Sequence, residues 1–581
     1  MEGVVEKRGF FSDLKRDKLL LILLVIILIL GIYVRFSHYN EEGLWSDDSA
    51  FIPAGLLFFN PHSYYPALSV GNFPLGYYFI GAGCMLSGED FSGVSEVKPL
   101  FYPGRELLIG EALTKGERFC HLPMYFFGII FFLLISLLAF LMLDRYSATF
   151  VTAFFAFYPQ VLVYSRWIRT DIVFWVFLVA SLIFLWLAYN AEKASKRELV
   201  YFVLCFSFFG LSQAAKETAG IFVIFGIGIF LSKYFAEVMH YLKSIFKTLE
   251  LKFAEKFSEV EVKLKSFKKT ILYSVVAFLF FFLLPFGFNP KNVYDTYRIY
   301  QQFNSEMSAV NFSLAGVYKY FSSFFTTINF LDTILFIFAF ILLVALVFKK
   351  GKTRFDNFIL YFTLMGILLS FFFQFMDIHR LATPFLFFFI FLMGMSLSEK
   401  GVSLPNLLKL KHRVFFFVFM VAYVGVSFYI ALSSSPYFVT LNDAYCLFKS
   451  DDCVAFKSSE LSGLSSKVLF SYLQPRLAGD DTFYGPSDVI HFYIMHSQHL
   501  TNFQFDTYFE QNYGRAPTLL ERIQYYHPNN ETIRYLFLSP YQNLFGEEGK
   551  AFEAKYEPND VIKIQGYDVY YVYDLKGLKE K

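Results

Sequence analysis

Charge is what this chain has least of: Asp, Glu, Lys and Arg make up 17% of its 581 residues, where a soluble globular domain carries about 25%. That deficit excludes an ordinary soluble globule. Cysteine is scarce as well, and five in a chain of this length do not make a disulfide scaffold. Gly-rich phosphate loops, Walker sequences, Ser-His-Asp signatures and CxxC pairs are missing, so nothing points to the chemistries that depend on them. What is present is apolar. Hydrophobic residues are 56% of the chain, with Phe at 80 positions, and the mean hydropathy is +0.46. These values belong to a polytopic α-helical membrane protein. The formal net charge of +2 says little, because in such a protein the placement of Lys and Arg matters more than their sum.

Lys7, Arg8, Lys15, Arg16 and Lys18 precede the uncharged run LLLILLVIILILGIYV. No small-residue cleavage site follows, so the run reads as an uncleaved first helix with its basic side in the cytoplasm. Further spans are expected near 120–143, 148–164, 171–189, 200–214, 218–235, 271–287, 326–348, 357–375, 382–398 and 414–433. With the first that makes about eleven, at the ~20 residues needed to cross hydrocarbon. The segments this places inside hold Arg145; Lys193, Lys196 and Arg197; Lys349, Lys350, Lys352 and Arg354; and Lys400, Lys409, Lys411 and Arg413. The insert 236–270 adds Lys243, Lys247, Lys252, Lys256, Lys263, Lys265, Lys268 and Lys269. All share the side of the basic N-terminus, which supports a cytoplasmic N-terminus and an exported C-terminal domain in a multi-pass cell-membrane protein. Residues 239–269 alternate apolar and charged positions at helical spacing. An amphipathic helix on the anionic leaflet and a solvated helical hairpin both fit.

The chain thus divides into a transmembrane part, 1–433, and an extracytoplasmic part, 434–581. In the latter Gly, Pro, Asp and Asn return, and β-rich runs such as KVLFSYL, IRYLFLS and YDVYYVYDL alternate with polar helical stretches, predicting a soluble α/β domain. The sequons Asn311-Phe312-Ser313 and Asn530-Glu531-Thr532 both fall on the outer side. Cys446 and Cys453 bracket a short loop there, and an oxidising exterior would let them pair. In the first outer loop, 37–118, the apolar stretches 50–59 and 73–86 are too short to span and suit helices lying at the interface.

That loop also carries Asp47-Asp48, with no Lys or Arg between residues 36 and 97. Uncompensated carboxylates beside a membrane are costly and mark a functional site by default. The plainer reading is that Ser46-Asp47-Asp48 caps the apolar segment that follows. The topology brings further polar groups to the same face: Arg166, Arg169 and Asp171 in YSRWIRTD; Lys216 and Glu217 in QAAKETAG; Arg298 and Glu306 in 288–325; and Asp377, His379 and Arg380 in MDIHRLATP. Taken singly, each is an ordinary snorkelling or paired interfacial charge. Together they argue for a site, since the inner face shows only an excess of Lys and Arg.

Carboxylates and cations at an outer membrane surface suit a lipid-linked, phosphate-bearing substrate. Arg offers phosphate a bidentate fork and Lys a point charge. A sugar on a lipid phosphate is already activated, so one carboxylate base suffices to deprotonate an acceptor hydroxyl for single-displacement, inverting attack. Cations then stabilise charge on the departing phosphate.

The order of basic N-terminus, span, acidic pair in a long first outer loop, SRxxRTD, a KET turn and a late HRxxxP before an apolar run resembles the GT-C glycosyltransferases that use polyprenyl-phosphate sugars. Over about 40–400 it is similar to the protein O-mannosyltransferase and aminoarabinose-transferase group. The resemblance implies a GT-C transmembrane domain, a polyprenyl (dolichyl-type) phosphate donor, and a protein, lipid or glycan acceptor, with no nucleic acid involved. It implies the catalytic carboxylate, a general base, at Asp47 or Asp48 and substrate-binding roles for Asp171, for Lys216 and Glu217, and for His379 and Arg380. Many relatives have Asp-Glu at the acidic pair and a Lys before the proline of Asn72-Phe73-Pro74; phosphate contact here falls to Arg166, Arg169, Lys216 or Arg380. Asp47, Asp48, Asp171 and His379 offer oxygen and nitrogen donors to a divalent cation, yet no two have diagnostic spacing, and no metal or other cofactor is expected. Two other readings remain. An oligosaccharyltransferase-like subunit should carry a WWD signature, and this chain has no adjacent tryptophans. A non-enzymatic transporter should place ionisable groups mid-span and show repeats, and the predicted spans do neither.

Overall fold

The computed structural model describes residues 17–37, 39, 51–52, 55–56, 74–90, 110–216, 219–234, 257–288, 330–372, 379–397, 406–434, 466–473, 475–476, 482–484, 513–515, 533–538, 546–564 and 567–581. Asp47, Asp48, Glu217, Arg298, Glu306, Asp377, Cys446, Cys453, both sequons and most of the 236–270 insert lie outside these, and of His379 and Arg380 only the backbone is described.

Most of the described chain is helical. The helices are α1 (Lys18–Phe36), α2 (Pro74–Met85), α3 (Gly110–Met142), α4 (Arg145–Phe157), α5 (Pro159–Tyr164), α6 (Asp171–Asn190), α7 (Lys196–Ala215), α8 (Ala219–Lys233), α9 (Phe257–Leu283), α10 (Phe330–Phe348), α11 (Arg354–Phe372), α12 (His379–Met395) and α13 (Asn406–Ser434). Among the described residues five helices are long and apolar enough to cross a membrane: Lys18–Phe36, Lys115–Met142, Asp171–Asn190, Lys196–Ala215 and Val414–Leu432. Ala219–Lys233, Ile334–Phe348 and Leu386–Met395 are shorter apolar helices.

Local chemistry sets several boundaries. Asp17 caps α1 by accepting from Leu20 N–H. Asp144 caps α4 by accepting from the N–H groups of Tyr146 and Ser147. Ser195 accepts from Glu198 N–H at the start of α7, while the Glu198 carboxylate reaches back to Ala194 N–H at 2.6 Å, a reciprocal arrangement close to a capping box. The single span expected over 148–164 is in fact two helices. α4 stops at Phe157 and α5 starts at Pro159, because proline lacks the N–H that would continue the ladder and pushes Tyr158 into extended backbone.

The last carbonyls of α4 are thereby left without helical partners, and Arg35 takes them. Its guanidinium donates to Phe155 O at 2.9 Å and Ala156 O at 3.2 Å, and to Gly31 O on its own helix. The same group lies 4.6 Å from the centre of the Phe132 ring.

The helix termini sort into two ends. At one end Tyr146 donates to Asp17, Trp186 donates to Leu141 O, Lys233 pairs with Glu198 at 2.7 Å and Lys349 pairs with Asp356 at 2.7 Å. Arg145, Lys193, Lys196 and Arg197 lie in or beside these segments, the residues predicted to face the cytoplasm. At the other end Tyr39 donates to Arg118 O, and Tyr33 and Phe157 flank Phe428. Helix α6 is the most enclosed of the five long helices, with 83% of its most apolar window buried. It stands at the centre of the bundle, and its first residue is Asp171.

The C-terminal part has a four-stranded sheet ordered β1 (Thr482–Tyr484), β2 (Ile533–Leu538), β5 (Tyr567–Asp574), β4 (Asp560–Ile564), parallel between β1 and β2 and antiparallel elsewhere. Two short strands, β3 (Tyr556–Glu557) and β6 (Lys579–Glu580), pair separately. The runs IRYLFL and YDVYYVYD form strands as predicted, but KVLFSYL does not: it lies in α14 (Ser466–Leu473). A short apolar run reads as strand or helix equally well by periodicity, and here its partner decides. Tyr472 meets Phe537 of β2 edge-on, so α14 covers the face bearing Tyr535, Phe537 and Tyr570. The other face, bearing Leu536, Leu538 and Tyr573, is packed by Phe552 of α15 (Gly546–Lys555). A helix on each face of a mixed sheet is an α/β layer arrangement.

Candidate active site

Residues 165–170 connect α5 to α6 and are buried throughout; Arg166 is 0% exposed and Arg169 3%. Two arginines so deep are unusual, since a charged side chain is almost never fully buried unless it is paired, and the loop is built to hold them. Arg166 N–H donates to Val163 O and Arg169 N–H to Trp167 O, which tightens the backbone. The Arg169 guanidinium lies 4.8 Å from the Trp167 ring centre and that of Arg166 lies 5.4 Å from the Tyr125 ring centre. Tyr164 packs edge-on against both Trp167 and Trp175. Guanidinium on an aromatic face keeps its in-plane donors for an anion, and it is more weakly hydrated than an ammonium.

Neighbouring helices close on this loop through glycines. A Cβ on Gly76 of α2 would lie 2.2 Å from Thr170 Cγ2, and one on Gly128 of α3 would lie 2.2 Å from Ser165 Cβ. Only glycine permits either approach. Helix α2, expected to lie at the interface, therefore presses one face into the bundle, with Tyr77, Ile80 and Cys84 buried. Phe51, three residues after Asp48, packs on Tyr77 with ring centres 5.5 Å apart. A disulfide joins Cys84 to Cys120, fastening α2 to α3.

Asp171 and Lys216 form a buried ion pair. Asp171 is in the first turn of α6, and Lys216 is the C-cap residue of the antiparallel α7. A carboxylate is favoured at a helix N-terminus and an ammonium at a C-terminus, so both helix dipoles reinforce the pair. Ser212, one turn back on α7, donates to Phe174 O at 3.3 Å and ties the same two helices. The Lys216 charge is thus balanced locally by Asp171.

Helix α12 begins at this end. Its residue Gly394 lies against Ser147 O, near the start of α4 at the opposite end, and His379 is fifteen residues earlier, about 22 Å away along a helix. The backbone of His379 and Arg380 thus joins Arg166, Arg169, Asp171 and Lys216 at one end of the bundle. Glu217, Asp47 and Asp48 lie outside the described residues. Among the described residues no three His, Cys, Asp or Glu converge as metal ligands.

Several parts of the site escaped the sequence reading. Arg35 reads as the end of a span, and its role depends on the break at Pro159. His121, buried on α3, makes a 2.9 Å hydrogen bond from Nδ1 to Arg166 O; its only sequence trace is the four-residue spacing from His121 to Tyr125. Cys84 lies within the first outer loop and Cys120 just past its end, which was the available signal for their pairing.

No family model matches the chain, and no curated protein matches it significantly. Among solved structures it is similar to ArnT from Cupriavidus metallidurans bound to undecaprenyl phosphate, at 11% identity and a TM-score of 0.49 over 94% of this chain and 97% of that chain. It is also similar to the archaeal oligosaccharyltransferase AglB from Archaeoglobus fulgidus in complex with an inhibitory peptide and a dolichol-phosphate, at 12% identity and a TM-score of 0.45 over 98% of this chain and 77% of that chain. At these values no functional residue is carried over from either.

Proposed function

We propose that this protein is a membrane glycosyltransferase of the GT-C type, moving a sugar from a polyprenyl (dolichyl-type) phosphate to an acceptor hydroxyl at the outer membrane face. The observation that carries the reading is the buried Arg166–Arg169 loop, two buried guanidinia against the Tyr125 and Trp167 rings at the end of the bundle away from the basic loops. A lipid phosphate is the anion that fits such a place. It arrives within the membrane plane on an apolar chain, and guanidinia bind phosphate through charge-assisted, bidentate hydrogen bonds.

In this reading Arg166 and Arg169 hold the donor phosphate, with Arg380 joining from the start of α12, and Lys216 acts through Asp171 to brace the floor of the site. Asp171 is an unsuitable base because it is buried in an ion pair. The base is Asp47 or Asp48, which three or four residues of chain connect to Phe51, itself packed against Tyr77 of α2, a tether of at most about 11–14 Å. The carboxylate takes the acceptor hydroxyl proton, the acceptor oxygen bonds to the anomeric carbon, and the bond from that carbon to the phosphate oxygen breaks with inversion. The electron pair leaves with the polyprenyl phosphate, whose charge the arginines stabilise.

The test is a titration of purified protein in nanodiscs with undecaprenyl phosphate. Arg166→Gln and Arg169→Gln should each weaken binding by about 10- to 150-fold, since a hydrogen bond to a charged group contributes roughly 1.5–3 kcal/mol. Arg169→Lys should be a partial defect, keeping the charge and losing the fork. Lys269→Glu and Lys350→Glu, at the basic end, should bind normally. Unchanged affinity in both arginine variants would remove the lipid-phosphate site and favour a non-enzymatic role.

A further inference from the structure

We infer that His121 is a positioning residue for Arg166, a role that rests on the phosphate-binding reading above. His121 and Tyr125 are four residues apart on α3 and so lie one above the other on one face of the helix. That face meets Arg166 twice: His121 Nδ1 is 2.9 Å from Arg166 O, and the Tyr125 ring is 5.4 Å from the Arg166 guanidinium carbon. One contact fixes the backbone of the arginine and the other fixes its side chain.

The first contact also fixes a proton on one ring nitrogen. A carbonyl only accepts, so Nδ1 carries the proton and donates it. His121 is 3% exposed and its neighbour Cys120 is bonded to Cys84, so the donor sits on a turn of α3 tied to α2. Helix α2 touches the far end of the same loop, where Gly76 meets Thr170. The Arg166–Thr170 segment is therefore gripped at its first residue by His121 and at its last by α2, with the disulfide joining the two grips. Arg166 lies where a rotation of its own peptide would lift the guanidinium from Tyr125, and the His121 hydrogen bond opposes that rotation.

The experiment compares His121→Leu, His121→Asn and Arg166→Gln as full-length protein in nanodiscs, using undecaprenyl phosphate as the probe and thermal stability as the second readout. Asn places an amide N–H near the position of Nδ1, whereas Leu fills the space and donates nothing. The expected result is an affinity loss of about tenfold for His121→Leu, recovery to within about threefold of wild type for His121→Asn, and little further loss when His121→Leu is added to Arg166→Gln, since a hydrogen bond contributes about 1 kcal/mol and an orphaned buried carbonyl costs somewhat more. If Arg166→Gln weakens binding while His121→Leu binds normally and only loses stability, His121 is packing alone and the inference fails by itself. Equal defects in Leu and Asn variants also overturn it, because the hydrogen bond would not be the cause. Normal binding by Arg166→Gln would overturn the phosphate site and this inference together.

Discussion

Replacing Lys216 with Met gives the sharpest physical test of how this end of the bundle is held. The ammonium and the Asp171 carboxylate are 5% and 2% exposed as residues, so neither has water to fall back on. Two unit charges about 4 Å apart at an effective dielectric constant near 20 attract by about 4 kcal/mol, before the hydrogen bond and the two helix termini are added. Desolvation offsets much of that gain while the pair is intact. Removing one partner leaves the desolvated charge of the other, and the cost is about 3–5 kcal/mol. Lys216→Met and Asp171→Leu should therefore each lower the temperature at which detergent-solubilised protein loses monodispersity. The combined Asp171→Leu/Lys216→Met variant should be more stable than either single one, because an apolar pair of similar volume strands no charge. The cycle should show a coupling of at least about 2 kcal/mol. Additive losses in the double variant would refute the pairing. The same double variant separates bracing from ligand binding: with Arg166 and Arg169 intact it should still bind undecaprenyl phosphate.

Three further outcomes follow from contacts elsewhere. The Cys84–Cys120 bridge closes a 36-residue separation, so Cys84→Ser should cost about 4 kcal/mol on the chain-entropy account, and thiol labelling of unreduced, denatured protein should leave both cysteines unmodified. Gly76→Val should disable the site by driving its β-carbon into Thr170, read as lost undecaprenyl phosphate binding, whereas Gly351→Ala, at a left-handed turn with open space around it, should leave binding unchanged. Arg35→Met should lower thermal stability by about 2–5 kcal/mol, since it orphans the Phe155 and Ala156 carbonyls at the Pro159 break; equal melting of variant and wild type would refute the capping role.

The sequence conveyed the helical class and the two-ended sorting of charge, because both rest on long averages: apolar runs of near-spanning length and the bias of Lys and Arg to one set of loops. It also assigned Arg166, Arg169, Asp171 and Lys216 to one face, since they fall at junctions between expected spans on the side away from the basic segments. The pairing of Asp171 with Lys216 was not legible, because a list of charges on one face does not say which ones neutralise each other. In sequence Lys216 looks as available to an anion as Arg169. Arg35 and His121 were hidden for a related reason. Each acts on a backbone carbonyl, and which carbonyls need a donor is settled only where the chain breaks, at Pro159 and in the 165–170 loop. The misreading of KVLFSYL has the same root, since the face of β2 that it covers is about sixty residues further along the chain.

The central claim, sugar transfer from a polyprenyl phosphate, is tested most directly by incubating purified protein in lipid with a panel of polyprenyl-phosphate sugars and acceptors and measuring released polyprenyl phosphate. The account predicts release from at least one donor, lowered by a factor on the order of 10²–10⁴ in Asp47→Asn or Asp48→Asn with folding intact. No release from any donor by well-folded protein that binds undecaprenyl phosphate, or full turnover by both aspartate variants, would contradict it.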